Sequence, residues 1–297
     1  MDKNIQGHLF ALTANIMWGL QAPIGKSALL VFSAATLTTF RMVGAAIIFW
    51  VLSLFYKREE HIDHRDMMRI CLASMFAMVF SQGVFIFGLS MTSPIDASIV
   101  TTTLPIVTLI VAAIYLKERI TGKKILGVII GAMGAIILIL GSQLSDKGSH
   151  KGIFGDLLCL VAQINFSIYL TAFKGLSQRY SVITLNKWMF LYASLCYIPF
   201  AYHDIYVIQW KYMPITSILE VLYMILGGSC IAYLSITMAQ KLLRPTIVSM
   251  YTYMQPIVAT TIAIIMGVGH FDWQKGIAIV LVFLGVYIVT RNRIVIR

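Results

Sequence analysis

Residues 95–116 read IDASIVTTTLPIVTLIVAAIYL, and residues 246–267 read TIVSMYTYMQPIVATTIAIIMG. Each run supplies the ~20 largely apolar residues that an α-helix needs to cross a bilayer core of about 30 Å. Each also carries one proline near its middle, and Pro105 and Pro256 stand 151 positions apart. A second alignment has nearly the same spacing: Gly7-His8-Leu9 through Trp18-Gly19 falls on Gly155-Asp156-Leu157 through Phe166-Ser167 at an offset of 148. The two anchors describe one unit present twice in the chain.

Working outward from these runs, hydropathy windows predict spans near 8–25, 33–55, 68–90, 95–116, 123–141, 152–173, 184–203, 216–239, 246–267 and 273–290. The expected fold is an all-α polytopic membrane protein with ten transmembrane helices. Five spans per unit is an odd number, so the second unit must enter the membrane from the opposite side. The expected organisation is therefore two inverted five-helix repeats, residues 1–148 and 149–297, an architecture that places a transport site near the midplane. Composition agrees with this. Of 297 residues, 59% are hydrophobic and 12% charged, with a mean hydropathy of +0.84, whereas a soluble domain is roughly a quarter charged.

Charge placement orients the chain. Given those spans, 17 of the 23 lysines and arginines fall on the side of the N-terminus, and five (Lys26, Lys147, Lys151, Lys211 and Lys275) on the other, with Arg41 inside the second span. The positive-inside rule then predicts both termini in the cytoplasm and a multi-pass protein of the cell inner (plasma) membrane. Because the basic residues are spread over six loop ends, the net charge of +11 reads as topology and not as a nucleic-acid surface. Cys71, Cys159, Cys196 and Cys230 each stand alone in an apolar run, which gives neither zinc spacing nor a disulfide framework. No cofactor or metal is expected. Gly25-Lys26-Ser27 lacks the upstream glycine of a phosphate-binding loop, since Leu20 is there instead. The pair His61 and His64, with Asp63 and Asp66, lacks a second ligand pair.

At its short motifs the sequence resembles the drug/metabolite transporter superfamily, and within it the EamA-like ten-helix permeases. The matching pieces are Met17-Trp18-Gly19, Phe40-Arg41-Met42, Pro105 with Leu116-Lys117-Glu118-Arg119-Ile120-Thr121, Gly127 and Gly134. In the second half they are Gly155-Asp156, Gly227-Gly228 with Tyr233, Pro245, Pro256 and Gly285-Val286-Tyr287. One departure is Gly269-His270-Phe271-Asp272, where the family usually places a glutamate. The resemblance implies a secondary carrier, often an exporter of amino acids or other small metabolites, working by alternating access.

The residues themselves suggest where a solute would bind. Each proline removes a helix hydrogen bond and frees the carbonyl four residues earlier, on Thr101 or Thr252. Matched interruptions of this kind point to a transport site. Thr102, Tyr251, Tyr253 and Gln255 stand around them. Asn15, Trp18 and Gln21 share one arc of the first span, and their repeat mates are Gln163, Phe166 and Tyr169. An amide in hydrocarbon is costly unless it finds a partner, so both arcs should face the interior, as substrate contacts or as interhelical hydrogen bonds. A charged arginine inside a span costs about 2.5–3.5 kcal/mol on insertion scales. Arg41 therefore either attracts a carboxylate or phosphate or pairs with an acid, the candidates being Asp96, Asp156 and Glu220, which double as coupling acids. Glu118, among Lys117, Arg119, Lys123 and Lys124, is expected in a solvated interfacial cluster, with a gate salt bridge as the alternative.

The function expected is secondary active transport of a small organic metabolite, amino-acid-like or similar, with the export direction implied by the resemblance alone. Its partners are that solute, the bilayer and, as a candidate coupling ion, the proton. One alternative is a proton-coupled multidrug efflux pump, which would need an acid at the midplane. Another is a membrane-embedded lipid-modifying enzyme, which would need paired acids or a histidine-acid constellation at one face.

Overall fold

A computed structural model describes residues 2–55, 60–92, 94–143, 153–208, 210–265 and 273–290. Among these the regular structure is helical, with no strand. The rods are α1 (Lys3–Ala28), α2 (Ala34–Phe55), α3 (His64–Met91), α4 (Pro94–Thr101 continued by Leu104–Tyr115), α5 (Gly122–Gln143), α6 (Ile153–Ala172), α7 (Val182–Tyr206), α8 (Ile215–Leu242), α9 (Pro245–Met250 continued by Met254–Ile265) and α10 (Trp273–Thr290). A short helix, Lys174–Arg179, links α6 to α7. Five stretches of the described residues are long and apolar enough to cross a membrane: α2, α3, Asp96–Tyr115 of α4, α6 and α8.

Local chemistry sets the ends. Asp2 caps α1 by accepting from the Asn4 amide at 3.1 Å, and Ser181 caps α7 through the Thr184 amide at 3.1 Å, each satisfying a donor that a helix start leaves orphaned. At the far end of α3, the Lys26 ammonium donates to the carbonyls of Leu89 and Thr92, both at 2.8 Å, a cation placed on a helix C-terminus. Lys174 does the same for the end of α8, donating to the Leu243 carbonyl at 2.8 Å. Burial of that lysine pushes its pKa below the ordinary value.

Two rods change pitch. Met75–Gly83 of α3 and Leu226–Ile231 of α8 are π-helical. Two others break just ahead of their prolines: α4 at Thr102 and Thr103, and α9 in the 3₁₀ turn Tyr251–Tyr253. Pro105 thus sits in the first turn of a fresh helix, where its missing N–H costs little.

In the bundle α1 lies against α8 and α9, α2 against α7 and α8, α3 against α6 and α7, α4 against α6 and α9, and α5 along α10. The α5–α10 contact is a crossing of small residues: a Cβ on Gly285 would meet the Gly127 carbonyl oxygen at 2.6 Å. Polarity is inverted relative to a water-soluble protein. Large apolar side chains such as Ile47, Leu54, Ile114, Phe200 and Phe283 point outward, while Asn15, Gln21, Arg41, Gln163, Asn186 and Gln240 are buried. The lipid-facing exterior and hydrogen-bonded interior follow from a solvent that accepts no polar group.

One expectation is corrected here. Glu118 does not stand in a solvated cluster. Its carboxylate accepts from Lys124 at 2.8 Å, with both side chains largely buried, and from the Thr246 hydroxyl at 3.0 Å. Lys117, just before it, turns the chain with φ of 52°. That turn brings the acid back between the start of α5 and the start of α9.

Candidate functional site

A cavity of about 40 Å³ lies where α1, α3, α4, α6 and α9 converge. Its wall is Trp18, Gly19, Gln21 and Ala22 from α1, Ser81, Gln82 and Phe85 from α3, Ser98, Thr101 and Leu104 from α4, Gln163 and Phe166 from α6, and Thr252 and Gln255 from α9. None of these side chains is an acid or a base. Their volume leaves room for a few water molecules, well short of the 300–1,000 Å³ of a pocket that holds a small organic ligand.

The aromatic wall is fixed by packing. Trp18 meets Phe166 edge-on with ring centroids 5.3 Å apart, and its indole N–H donates to the Gly228 carbonyl at 3.1 Å. Gly228 lies in the π segment of α8. Gln255 donates to the Asn15 Oδ1 at 2.9 Å, and Asn15 in turn donates to the Ala11 carbonyl at 2.8 Å. Asn15 therefore stands behind the wall as the anchor of Gln255. Thr101, on the wall, donates its hydroxyl to the Ala97 carbonyl at 2.8 Å.

Arg41 lies behind the wall on the opposite side, with no exposed surface. Its Nη2 donates to Gln82 Oε1 at 3.0 Å and to Gln21 Oε1 at 3.2 Å, and its Nε donates to the Ser229 hydroxyl at 3.3 Å. Gln21 also donates its own amide to Gln82 Oε1 at 3.2 Å. No salt bridge reaches Arg41 among the described residues, and its Nη1 has no hydrogen-bond partner. The named acids have other surroundings. Asp156 accepts from the Thr92 hydroxyl at 2.5 Å, Glu220 from the Ser27 hydroxyl at 2.5 Å, and Asp96 lies in the first turn of α4.

Of the residues singled out from sequence, the fold brings Trp18, Gln21, Thr101, Gln163, Thr252 and Gln255 onto one cavity, with Asn15 and Arg41 directly behind it. It turns four elsewhere. Tyr253 donates to the Val128 carbonyl at 3.0 Å in the contact with α5, and Tyr251 meets His8 Nδ1 at 2.8 Å. The Thr102 hydroxyl donates to the Ile99 carbonyl at 2.6 Å, and Tyr169 is buried against Phe166 at 5.8 Å. Pro105 and Pro256 lie just past the two breaks. Ser81 and Gln82 were missed, although a serine and an amide inside an apolar span carry the same signal that marked Gln21. The stretch Gly269-His270-Phe271-Asp272 lies outside the described residues.

An apolar-skinned helical bundle with broken helices around a polar cavity is the build of a membrane transport protein. The chain belongs to the EamA-like transporter family, whose model matches residues 5–140 and again residues 153–291. It is similar to an uncharacterized transporter of Archaeoglobus fulgidus, 29% identical over 192 residues that cover 65% of this chain and 66% of that one. It is also similar to a Chlamydia muridarum protein named an S-adenosylmethionine/S-adenosylhomocysteine transporter, 23% identical over 207 residues, 68% of this chain and 64% of that one. The alignments thus span a little under two thirds of each relative. A solved crystal structure shares the fold, with a TM-score of 0.76 over 98% of this chain and 100% of that one at 16% identity.

Proposed function

We propose that this transporter is a secondary carrier of a small, amphipathic, amino-acid-like metabolite, built as two inverted repeats of five transmembrane helices, residues 1–148 and 149–297. It lies in the inner membrane with both termini in the cytoplasm and works in the export direction by alternating access, without catalysis. The observation that carries this reading is the cavity, whose polar and aromatic wall comes from helices of both halves. Symmetry supports it. Exchanging α1–α5 with α6–α10 turns the principal packing pairs into one another: α1–α8 into α3–α6, α1–α9 into α4–α6 and α2–α8 into α3–α7, with α2–α7, α4–α9 and α5–α10 onto themselves. The π segments, starting at Met75 and Leu226, are 151 positions apart, matching the proline spacing. The family model's two matches support the same division.

A cavity of about 40 Å³ is too small for a metabolite, so loading requires the halves to part. The wall offers amide and hydroxyl groups beside Trp18, Phe85 and Phe166, which suits a solute with a polar head and an apolar body. The name of the Chlamydia muridarum relative supports an amino-acid-containing solute. The test is uptake into proteoliposomes from a panel of amino acids and related metabolites, with and without an imposed proton gradient. Gln163→Ala and Gln255→Ala each remove a wall amide, and a lost hydrogen bond of about 1 kcal/mol predicts a KM several-fold higher for the accepted solute. Unchanged kinetics in both variants would place the site elsewhere.

A further inference from the structure

Arg41 is a guanidinium in the middle of a membrane bundle, wholly buried and held only by neutral acceptors: two glutamine oxygens, a serine hydroxyl and, at 3.5 Å, the Gly228 carbonyl. A buried cation is stable when paired with an anion, and no carboxylate of the described residues lies within salt-bridge distance of it. Two side chains connect this charge to the cavity, Gln21 and Gln82, which line the cavity and at the same time bond Arg41 Nη2. Both amides are on rotatable stems. Gly228, where a Cβ would lie 3.2 Å from Gln21 Oε1, leaves Gln21 room on the α8 side.

We propose that the cavity is a carboxylate site: when a solute enters, its carboxylate displaces the Gln21 and Gln82 oxygens from Arg41 and supplies the counter-charge that none of the described residues gives the guanidinium. The proposal rests on the cavity being the solute site and adds the sign of the solute's charge. A lone guanidinium with no acid on the cavity wall attracts an anion and repels an organic cation. It also matches one negative charge, which favours a carboxylate over a doubly charged phosphate ester. The two glutamines are a neutral substitute that keeps Arg41 hydrogen-bonded while the cavity is empty, and their freed amide N–H groups are further donors to the incoming oxygens.

The test is calorimetric binding to the purified full-length protein in detergent, with four probes that share a phenyl ring: 3-phenylpropionate, 3-phenylpropionamide, 3-phenylpropylamine and phenyl phosphate. Exchanging a neutral for a charge-assisted hydrogen bond predicts that the propionate binds roughly ten- to a hundredfold more tightly than the amide, and the amine more weakly than both. Arg41→Gln should bring propionate and amide to within a few-fold of each other. Arg41→Lys, which keeps the charge and loses the planar fork, should weaken the propionate several-fold and leave the amide unchanged. Equal binding of propionate and amide to the unaltered protein, abolished in both cases by filling the cavity with Gln163→Trp, would overturn the proposal and leave the cavity as the solute site. Binding that Gln163→Trp does not touch, or no binding of any probe, would remove the site and the proposal together. A preference for phenyl phosphate would overturn the carboxylate assignment. Should Arg41→Gln fail to fold, the unaltered protein and Arg41→Lys decide between these outcomes.

Discussion

A Cβ added to Gly285 would come within 2.6 Å of both the Gly127 carbonyl oxygen and the Gly131 nitrogen, whereas one added to Gly175 would meet nothing within 4 Å. Backbone cannot move aside as a flexible side chain can, so Gly285→Ala is an overpacking change of about 1–3 kcal/mol. It should lower the thermal midpoint of the purified protein, while Gly175→Ala, in the exposed link after α6, should leave it unchanged or slightly higher. A second single-residue effect is Lys117, which holds φ of 52°, a conformation costing a residue with a Cβ about 1 kcal/mol or more. Lys117→Gly should therefore raise the midpoint. At this scale the sequence was informative wherever an expensive residue sat in an apolar run. Arg41, Asn15, Gln21, Gln163 and Gln255 all stand at or directly behind the cavity wall, while Asn186 and Gln240, also buried, donate to carbonyls elsewhere in the bundle. Tyrosines were less legible. A phenol can satisfy itself on any nearby polar partner, a ring nitrogen or a carbonyl, so Tyr251 and Tyr253 are drawn to His8 and Val128 instead of the cavity.

The π segments of α3 and α8 explain what a helical wheel misses. In a π turn the extra residue rotates everything after it and shifts the ladder to i→i+5, as for the Val79 carbonyl, which accepts from the Val84 amide, and carbonyls in such a turn can take a second donor. Side chains from other rods take up those carbonyls: Tyr233 donates to Ala77 at 2.6 Å, Tyr197 to Val79 at 2.9 Å and Trp18 to Gly228 at 3.1 Å. Ser81 and Gln82, late in the first π segment, could not be assigned a face from spacing alone for the same reason. Tyr233→Phe and Tyr197→Phe each remove a buried hydrogen bond from a side chain to a π-segment carbonyl, a loss of about 1 kcal/mol, and both should lower the thermal midpoint accordingly. The breaks in α4 and α9 give a contrasting expectation. Their prolines already sit in the first turn of a new helix segment, so Pro105→Ala and Pro256→Ala restore a continuous hydrogen-bond ladder without loss of stability. If these breaks are the hinges by which the halves part, the variants should keep the thermal midpoint and slow turnover in proteoliposomes several-fold. Turnover unchanged in both would show that the breaks shape the cavity wall and do not move.

For the molecule as a whole, inverted repeats make a claim about sidedness that no single helix carries. If every rod from α1 to α10 crosses the bilayer, the α3–α4 and α7–α8 turns share one face, and the Glu118 loop and the α6–α7 link share the other. The charge asymmetry assigns the second face to the cytoplasm, because lysines and arginines are retained on that side during insertion. The prediction can be read with a membrane-impermeant maleimide on intact cells. The four native cysteines lie within helices and form no disulfide, so a background in which they are replaced by serine or alanine removes competing thiols. Single cysteines are then placed where the side chain is exposed: Ser90→Cys and His203→Cys for the outer face, Lys123→Cys and Arg179→Cys for the inner. The first pair should label in intact cells and the second only after permeabilisation. Ser90 and Lys123 lie in the first half and His203 and Arg179 in the second, so the pattern reports the sense of threading in each half independently. Labelling of Ser90→Cys and Arg179→Cys from the same side would require an odd number of missed or extra crossings between them. The pseudo-dyad, and with it a cavity shared between two halves, would then be untenable.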